Sequence, residues 1–66
     1  MDLIELIETA IEDERRAQQK YAEAAKSASD PEIRAFFAQM VREEQAHESR
    51  LKNRLLAVKL LGQDKT

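Results

Sequence analysis

The strongest breakers of regular structure divide this sequence into two long segments. Proline and glycine each occur once, as Pro31 and Gly62, and these residue types interrupt helices and strands more strongly than any others. One uninterrupted segment therefore precedes Pro31, and a second runs from Pro31 to Gly62. What each segment forms depends on the spacing of its apolar residues.

The first segment has the apolar spacing of an amphipathic helix. Asp2 is predicted to be the N-cap, Glu5 places an acid in the first turn, and the helix is expected to run to about Ala28. Apolar side chains occupy the a and d positions of its heptads, and further apolar residues lie beside them. The a and d residues are Ile4, Ile7, Ile11, Tyr21, Ala25 and Ala28, and their neighbours are Leu3, Ala10, Ala17 and Ala24.

The second segment begins with a helix-start signal and has the same spacing. Ser29 or Asp30 is expected to cap the helix, Pro31 is tolerated in a first turn, and Glu32 is placed to complete a capping box. Gly62 is the predicted stop. Its a and d positions hold Ile33, Phe37, Met40, Leu51, Val58 and Leu61. Because the connection is short, the two helices are predicted to form an antiparallel hairpin.

A hairpin of this size is predicted to pair with another copy of itself. The sequence has 66 residues and no cysteine, so burial must stabilise what is expected to be a single domain over residues 1–66. A domain this small usually gains no more than about 3–5 kcal/mol from its own core, and two helices leave part of their apolar faces uncovered. We expect an all-α fold in which the hairpin dimerises into a four-helix bundle, as a homodimer or a higher even-numbered homo-oligomer.

The charge pattern argues against two classes of partner. The formal net charge is −2, from 11 basic and 13 acidic residues that are interspersed, which offers no electrostatic footprint for nucleic acid or an anionic membrane. No apolar run approaches the ~20 residues that span a bilayer, and the N-terminus lacks the basic stretch and cleavage site of a signal peptide. The expected location is the cytoplasm.

Three ionisable residues interrupt the apolar positions of the two helices. Glu14 follows Ile11 in the first helix, and Glu44 and His47 follow Met40 in the second. Glu14 and Glu44 each lie about 15 residues from the connection, so an antiparallel hairpin brings them level, with His47 one turn beyond Glu44 on the same face. A two-fold axis through a dimer would gather four Glu and two His around one point.

These side chains predict a carboxylate-bridged metal site shared by two chains. A Glu from each of two helices and Glu-x-x-His from the other two form the ligand set of di-iron and di-manganese bundles, and carboxylates with imidazole suit hard or borderline divalent ions. Glu14, Glu44 and His47 are the predicted metal ligands of a di-iron centre, with manganese or zinc as alternative metals. The competing interpretation is a buried polar network that fixes helix register.

The polar residues beside this motif have two interpretations each. Glu43 and Glu48 either guide metal inward or are solvated charges of a helix face. Solvation is the simpler expectation, so Glu48→Ala is expected to change stability little. Gln18 lies one turn from Glu14, where it either hydrogen-bonds a ligand carboxylate or makes a hydrogen bond between subunits.

Motifs within residues 4–55 resemble the rubrerythrin branch of the ferritin-like superfamily. They are Glu14-x6-Tyr21, Asp30-Pro31-Glu32-Ile33-Arg34-x-Phe36-Phe37 and Glu43-Glu44-x-x-His47-x3-Leu51. The resemblance implies a ferritin-like four-helix bundle with Glu14 as the ligand from the first helix. It further implies that Glu44 is the bridging ligand and His47 the terminal one. Tyr21 is implied as an aromatic residue near the metals, and these four residues are the expected catalytic set.

The resemblance also suggests which functions to compare. With one helix pair and no cysteine, the chain is similar to short two-helix forms such as encapsulated ferritins, whose di-iron centre lies between subunits, which adds an encapsulating protein shell as a candidate partner and compartment. The leading expectation is a ferroxidase in iron storage or detoxification. The alternatives are a rubrerythrin-like peroxide reductase with a separate reductant and a non-catalytic helical dimerisation module.

The uncovered apolar faces predict self-association at micromolar concentration. Analytical ultracentrifugation is expected to show a dimer or a higher even-numbered oligomer, because one hairpin cannot bury both its apolar faces and its ligand carboxylates. A stable, folded monomer across the micromolar range would contradict the bundle and the shared site together.

Overall fold

The structure is a computed structural model that describes residues 1–62. It contains two α-helices, α1 (Leu3–Ser27) and α2 (Pro31–Leu61), joined by residues 28–30. Within the described range there is no β-strand, so the predicted all-α hairpin is confirmed. The extent of the domain over residues 1–66 stays a prediction, and the fraying expected of Gln63 to Thr66 lies outside this range. Neither helix, over its described length, is long and apolar enough to cross a membrane.

Aspartate side chains cap both helix starts. Asp2 Oδ1 accepts a hydrogen bond from the backbone N–H of Glu5 at 2.8 Å, as expected of an N-cap. Asp30 Oδ1 accepts one from the backbone N–H of Glu32 at 3.1 Å. Because Asp30 and not Ser29 is the cap, Glu32 lies at the second helical position, whereas a capping box needs an acid at the third. The predicted box is therefore wrong.

The two helix ends follow from local backbone preferences. Ala28 and Asp30 are both extended, with ψ of 136° and 123°, and a residue before proline avoids the helical region. This short extended connection turns the chain back, so α1 ends at Ser27. Gly62 ends α2 at φ 66° and ψ 34°, a left-handed conformation that glycine adopts without steric cost.

The hairpin has a small core far from the connection. Ile7, Ile11 and Val58 are buried, and Leu3, Ile4, Leu51 and Leu55 pack around them. The molecule measures 48 × 18 × 13 Å, a rod in which each helix has only one neighbour, so most apolar residues keep an exposed side. The large apolar residues that remain exposed are Met1, Leu6, Ile33, Phe36, Leu56, Leu60 and Leu61.

One side of the hairpin is closed by ionic contacts between the helices. Glu48 Oε2 lies 3.0 Å from Arg15 Nε and 2.9 Å from Lys52 Nζ. Lys59 Nζ lies 3.8 Å from Glu8 Oε2 farther along the same side. We call this side, defined by Glu8, Arg15, Glu48, Lys52 and Lys59, the ion-paired face.

Glu48 is therefore not the solvated charge that its position suggested. Its side chain is 14% exposed and also accepts a hydrogen bond from Gln18 Nε2 at 2.7 Å. The hydrogen bond from Gln18, followed by those from Lys52 and Arg15, lowers the pKa of Glu48 from 4.5 to about 2. Because Glu48 accepts from three donors on both helices, we expect Glu48→Ala to destabilise the hairpin, in place of the small effect expected from the sequence.

The lowered pKa of Glu48 predicts acid sensitivity. A carboxyl whose pKa is lower in the folded state contributes stability above its unfolded pKa, here about 4.5, and loses it as the pH falls towards 2. The free energy of unfolding of the metal-free protein should therefore fall more steeply between pH 5 and pH 2 for the wild type than for Glu48→Gln. Urea unfolding over this range measures the difference. Equal pH dependences of the unfolding free energy in the wild type and Glu48→Gln would contradict the prediction. Glu23→Gln, at an exposed position, is the control and should behave as the wild type.

Candidate metal centre

The hairpin brings together the three residues predicted as metal ligands. Glu14 lies near the middle of α1, and Glu44 and His47 lie one turn apart on α2. Since the helices are antiparallel, equal distances from the connection place these residues at one level. Ligand atoms of Glu14, Glu44 and His47 all lie within 4.8 Å of one another. The structure thus confirms their proximity, while their role as ligands stays a prediction.

The imidazole of His47 contacts both carboxylates. His47 Nδ1 lies 2.7 Å from Glu44 Oε1 and 3.5 Å from Glu14 Oε1. The carboxylate side chains are 18% and 23% exposed, respectively, whereas His47 is 46% exposed. The two carboxylates therefore lie between the helices, and the imidazole lies at the rim, where a second chain or solvent can reach it.

One carboxylate oxygen of this cluster has no hydrogen-bond partner within the described residues. Glu14 Oε1 is buried and accepts no hydrogen bond within the described residues, since its contact with His47 Nδ1 at 3.5 Å does not form one. Leaving a buried charged oxygen unpaired costs several kcal/mol unless a cation or donor compensates it. Two carboxylates and an imidazole are a suitable donor set for a hard or borderline divalent ion. The cluster thus fits a metal, whereas a polar network that only fixed register would be expected to satisfy this oxygen.

The cluster opens on the side opposite the ion-paired face. A pocket of about 450 Å³ is lined there by Glu14, His47, Arg50, Leu51 and Arg54. We call the surface around this pocket the open face. It combines the half-exposed imidazole with apolar and basic side chains, so the side that holds the predicted metal ligands is also the side that ionic contacts leave accessible.

Gln18 supports the site in a way that neither predicted role described. Its Nε2 donates to Glu48 Oε1 at 2.7 Å and to the backbone carbonyl of Glu44 at 3.5 Å. It therefore joins α1 to the turn of α2 that carries Glu44, within one chain and without contacting a ligand carboxylate. Distance from the connection did not indicate this contact, because Gln18 lies 11 residues before position 29 and Glu48 lies 19 residues after it.

Tyr21 belongs to an aromatic group nearer the connection. Its ring stacks on Phe37 with centroids 6.0 Å apart, and Phe37 meets Phe36 edge to face at 5.2 Å. Lys20 Nζ lies 5.4 Å from the centre of the Tyr21 ring. Tyr21 is about two helical turns from Glu14, outside the cluster of ligand atoms, and its predicted catalytic role stays a prediction.

The fold and the cluster together define a class of protein. A helical hairpin with a Glu on one helix and Glu-x-x-His on the other is half of the ligand arrangement of non-haem metal proteins built on helical bundles. A family model described as Rubrerythrin matches residues 1–55, and the chain belongs to the rubrerythrin family, which typically binds iron. Comparisons with curated proteins and with solved structures give no match.

Metal is expected to stabilise the protein through this cluster. Fe(II) under anaerobic conditions should raise the melting temperature. At a free Fe(II) concentration 100 times the dissociation constant, binding adds about 2.7 kcal/mol to the free energy of unfolding. Glu44→Ala should abolish this increase and leave the metal-free protein equally stable or more so, because it removes one of two neighbouring carboxylates. Glu23→Ala, at an exposed position of α1, should retain the increase.

Melting curves of these variants with and without Fe(II) provide the measurement. A wild-type melting temperature that Fe(II) leaves unchanged, together with a destabilised Glu44→Ala, would contradict the metal centre and favour a register-fixing network.

Proposed function

We propose that two copies of this chain form a four-helix bundle with a shared di-iron centre, and that the protein oxidises Fe(II). The observation that carries the proposal is the grouping of Glu14, Glu44 and His47 around a buried carboxylate oxygen that accepts no hydrogen bond from the part of the chain that the structure describes. Membership of the rubrerythrin family is compatible with oxidoreductase activity.

The need for two chains follows from charge and ligand number. One hairpin offers two carboxylates and one imidazole, which is too few for two ions. Two hairpins offer four carboxylates, whose combined charge balances two Fe(II) ions, and one imidazole for each ion. The exposed apolar residues of the hairpin give the two copies surface to bury.

Under this proposal each side chain has a distinct task. Glu14 and Glu44 hold positive charge between the helices, where partial burial strengthens their attraction for cations. His47 supplies a neutral donor at the rim of the open face. Leu51 lines the same pocket and reduces the access of water. When bound, iron supplies the one-electron redox chemistry that these side chains lack.

In the proposed reaction Fe(II) is the substrate. Two Fe(II) ions each lose one electron, and dioxygen accepts both electrons with two protons to give hydrogen peroxide and two Fe(III). The family match favours one alternative, a peroxide reductase at the same site, which would reduce peroxide to water with electrons from a donor outside this cysteine-free chain.

Oxygen consumption during aerobic addition of Fe(II) tests the proposal. The wild type should consume dioxygen and accumulate Fe(III) faster than buffer alone, whereas Glu14→Gln should match the buffer rate, because the substitution keeps the shape of the side chain but removes its charge. Glu23→Gln should behave as the wild type. Repeated peroxide reduction with an added donor, without accumulation of Fe(III), would favour the reductase. Failure to bind iron would contradict both activities.

A further inference from the structure

The open face carries opposite charges that form no ion pair within residues 1–62. Arg50 and Arg54 line the pocket beside His47, and neither forms an ion pair within residues 1–62, whereas Lys52 and Lys59 of the same helix both contact carboxylates. Glu43 forms no ion pair in this range either, and its one hydrogen bond, from Gln39 Nε2, is 3.4 Å long.

The positions of these charges are symmetric about the metal-ligating residues. Glu43 and Arg50 are two helical turns apart and therefore lie along the same edge of α2. Glu44 and His47 lie between them. An acid thus lies on the side of the cluster nearer the connection, and a base lies on the side farther from it.

We infer that a second copy docks on the open face in the antiparallel sense, with Glu43 of each chain paired to the partner's Arg50. This inference rests on the proposed dimer and specifies its orientation and its charged contacts. A two-fold axis perpendicular to the helices at the level of the cluster reverses the order of residues along α2. It therefore brings each Glu43 level with the partner's Arg50, twice in one dimer.

The other closed arrangement does not bring Glu43 and Arg50 of the two copies together. A two-fold axis parallel to the helices would place α2 beside the partner's α1. The neighbouring edge of α1 carries Ala10, Ala17 and Ala24, which are half-buried in the hairpin. Glu43 and Arg50 would then face this edge of α1 and would not face each other across the two copies.

The alanine edge of α1 can pack closely in the dimer whose two-fold axis is perpendicular to the helices. In that arrangement α1 lies beside the partner's α1, so the edge of Ala10, Ala17 and Ala24 meets its own copy. Small side chains let two helices approach closely and pack without large voids. The charged edge of α2 and the small-residue edge of α1 thus favour the same orientation through independent contacts.

Charge reversal tests the ion pairs. Sedimentation equilibrium of the metal-free protein should show dimerisation weakened about tenfold in Glu43→Arg and in Arg50→Glu, because each replaces two attractive pairs with two repulsive ones. The double variant Glu43→Arg/Arg50→Glu should recover wild-type affinity. Arg34→Glu makes the same charge change at an exposed position of α2 that has no ion pair within residues 1–62, and it should have no effect. Circular dichroism confirms that each variant is helical.

A spin label at the connection tests the orientation. Ser29→Cys introduces the only cysteine of the chain. In the antiparallel dimer the two labels should be about 50 Å apart, since the connections lie at opposite ends of the bundle, whereas a parallel axis would place them within about 20 Å. Electron–electron double resonance measures this distance, and the short value would overturn the inference.

The outcomes separate this inference from the proposed function. Single variants that dimerise as the wild type does, or a double variant that stays as weak as the single ones, would overturn the ion pairs, even if the protein binds and oxidises iron. A wild type that remains monomeric with and without Fe(II) would overturn the shared centre and the docking together. Recovery of wild-type dimer affinity in the double variant would support the ion pairs even if one single variant loses its helical structure.

Discussion

A helix with one neighbour can bury only the edge that faces that neighbour, and this limit governs the hairpin. It explains why full burial is confined to Ile7, Ile11 and Val58, although apolar residues follow both helices along their length. It also explains why the predicted metal ligands are partly exposed. The apolar faces and the carboxylate cluster are therefore both left partly uncovered in the single hairpin.

The two sides of the hairpin meet this limit differently. On the ion-paired face, Glu48 accepts hydrogen bonds from both helices and is satisfied within one chain. On the open face, Glu14 keeps a buried oxygen that accepts no hydrogen bond within residues 1–62, and Arg50 and Arg54 line an open pocket. The same two helices thus hold one complete charge network and one incomplete one, separated by less than the width of a helix pair.

The sequence predicted the parts of the structure that depend on helical period and distance from the connection. These were the two helices, the N-cap at Asp2 and the meeting of Glu14 with Glu44 and His47. The contacts of Glu48 were not predicted, because heptad spacing separates the buried face of a helix from its exposed face. It does not tell apart the two sides of the helix pair, here the ion-paired face and the open face. Ile33 and Leu61 are exposed in the single hairpin, as expected of apolar faces that two helices leave partly uncovered, and their burial in a dimer stays a prediction.

If each hairpin supplies only half of the proposed metal site, the proposed activity depends on protein concentration in an unusual way. A site contained in one chain is present in every folded molecule, whereas a site divided between two chains exists only in pairs. Well below the dissociation constant, the number of pairs rises with the square of the protein concentration. A modest increase in synthesis would then raise iron-oxidising capacity disproportionately, and dilution would switch it off without any change in the fold of the single chain.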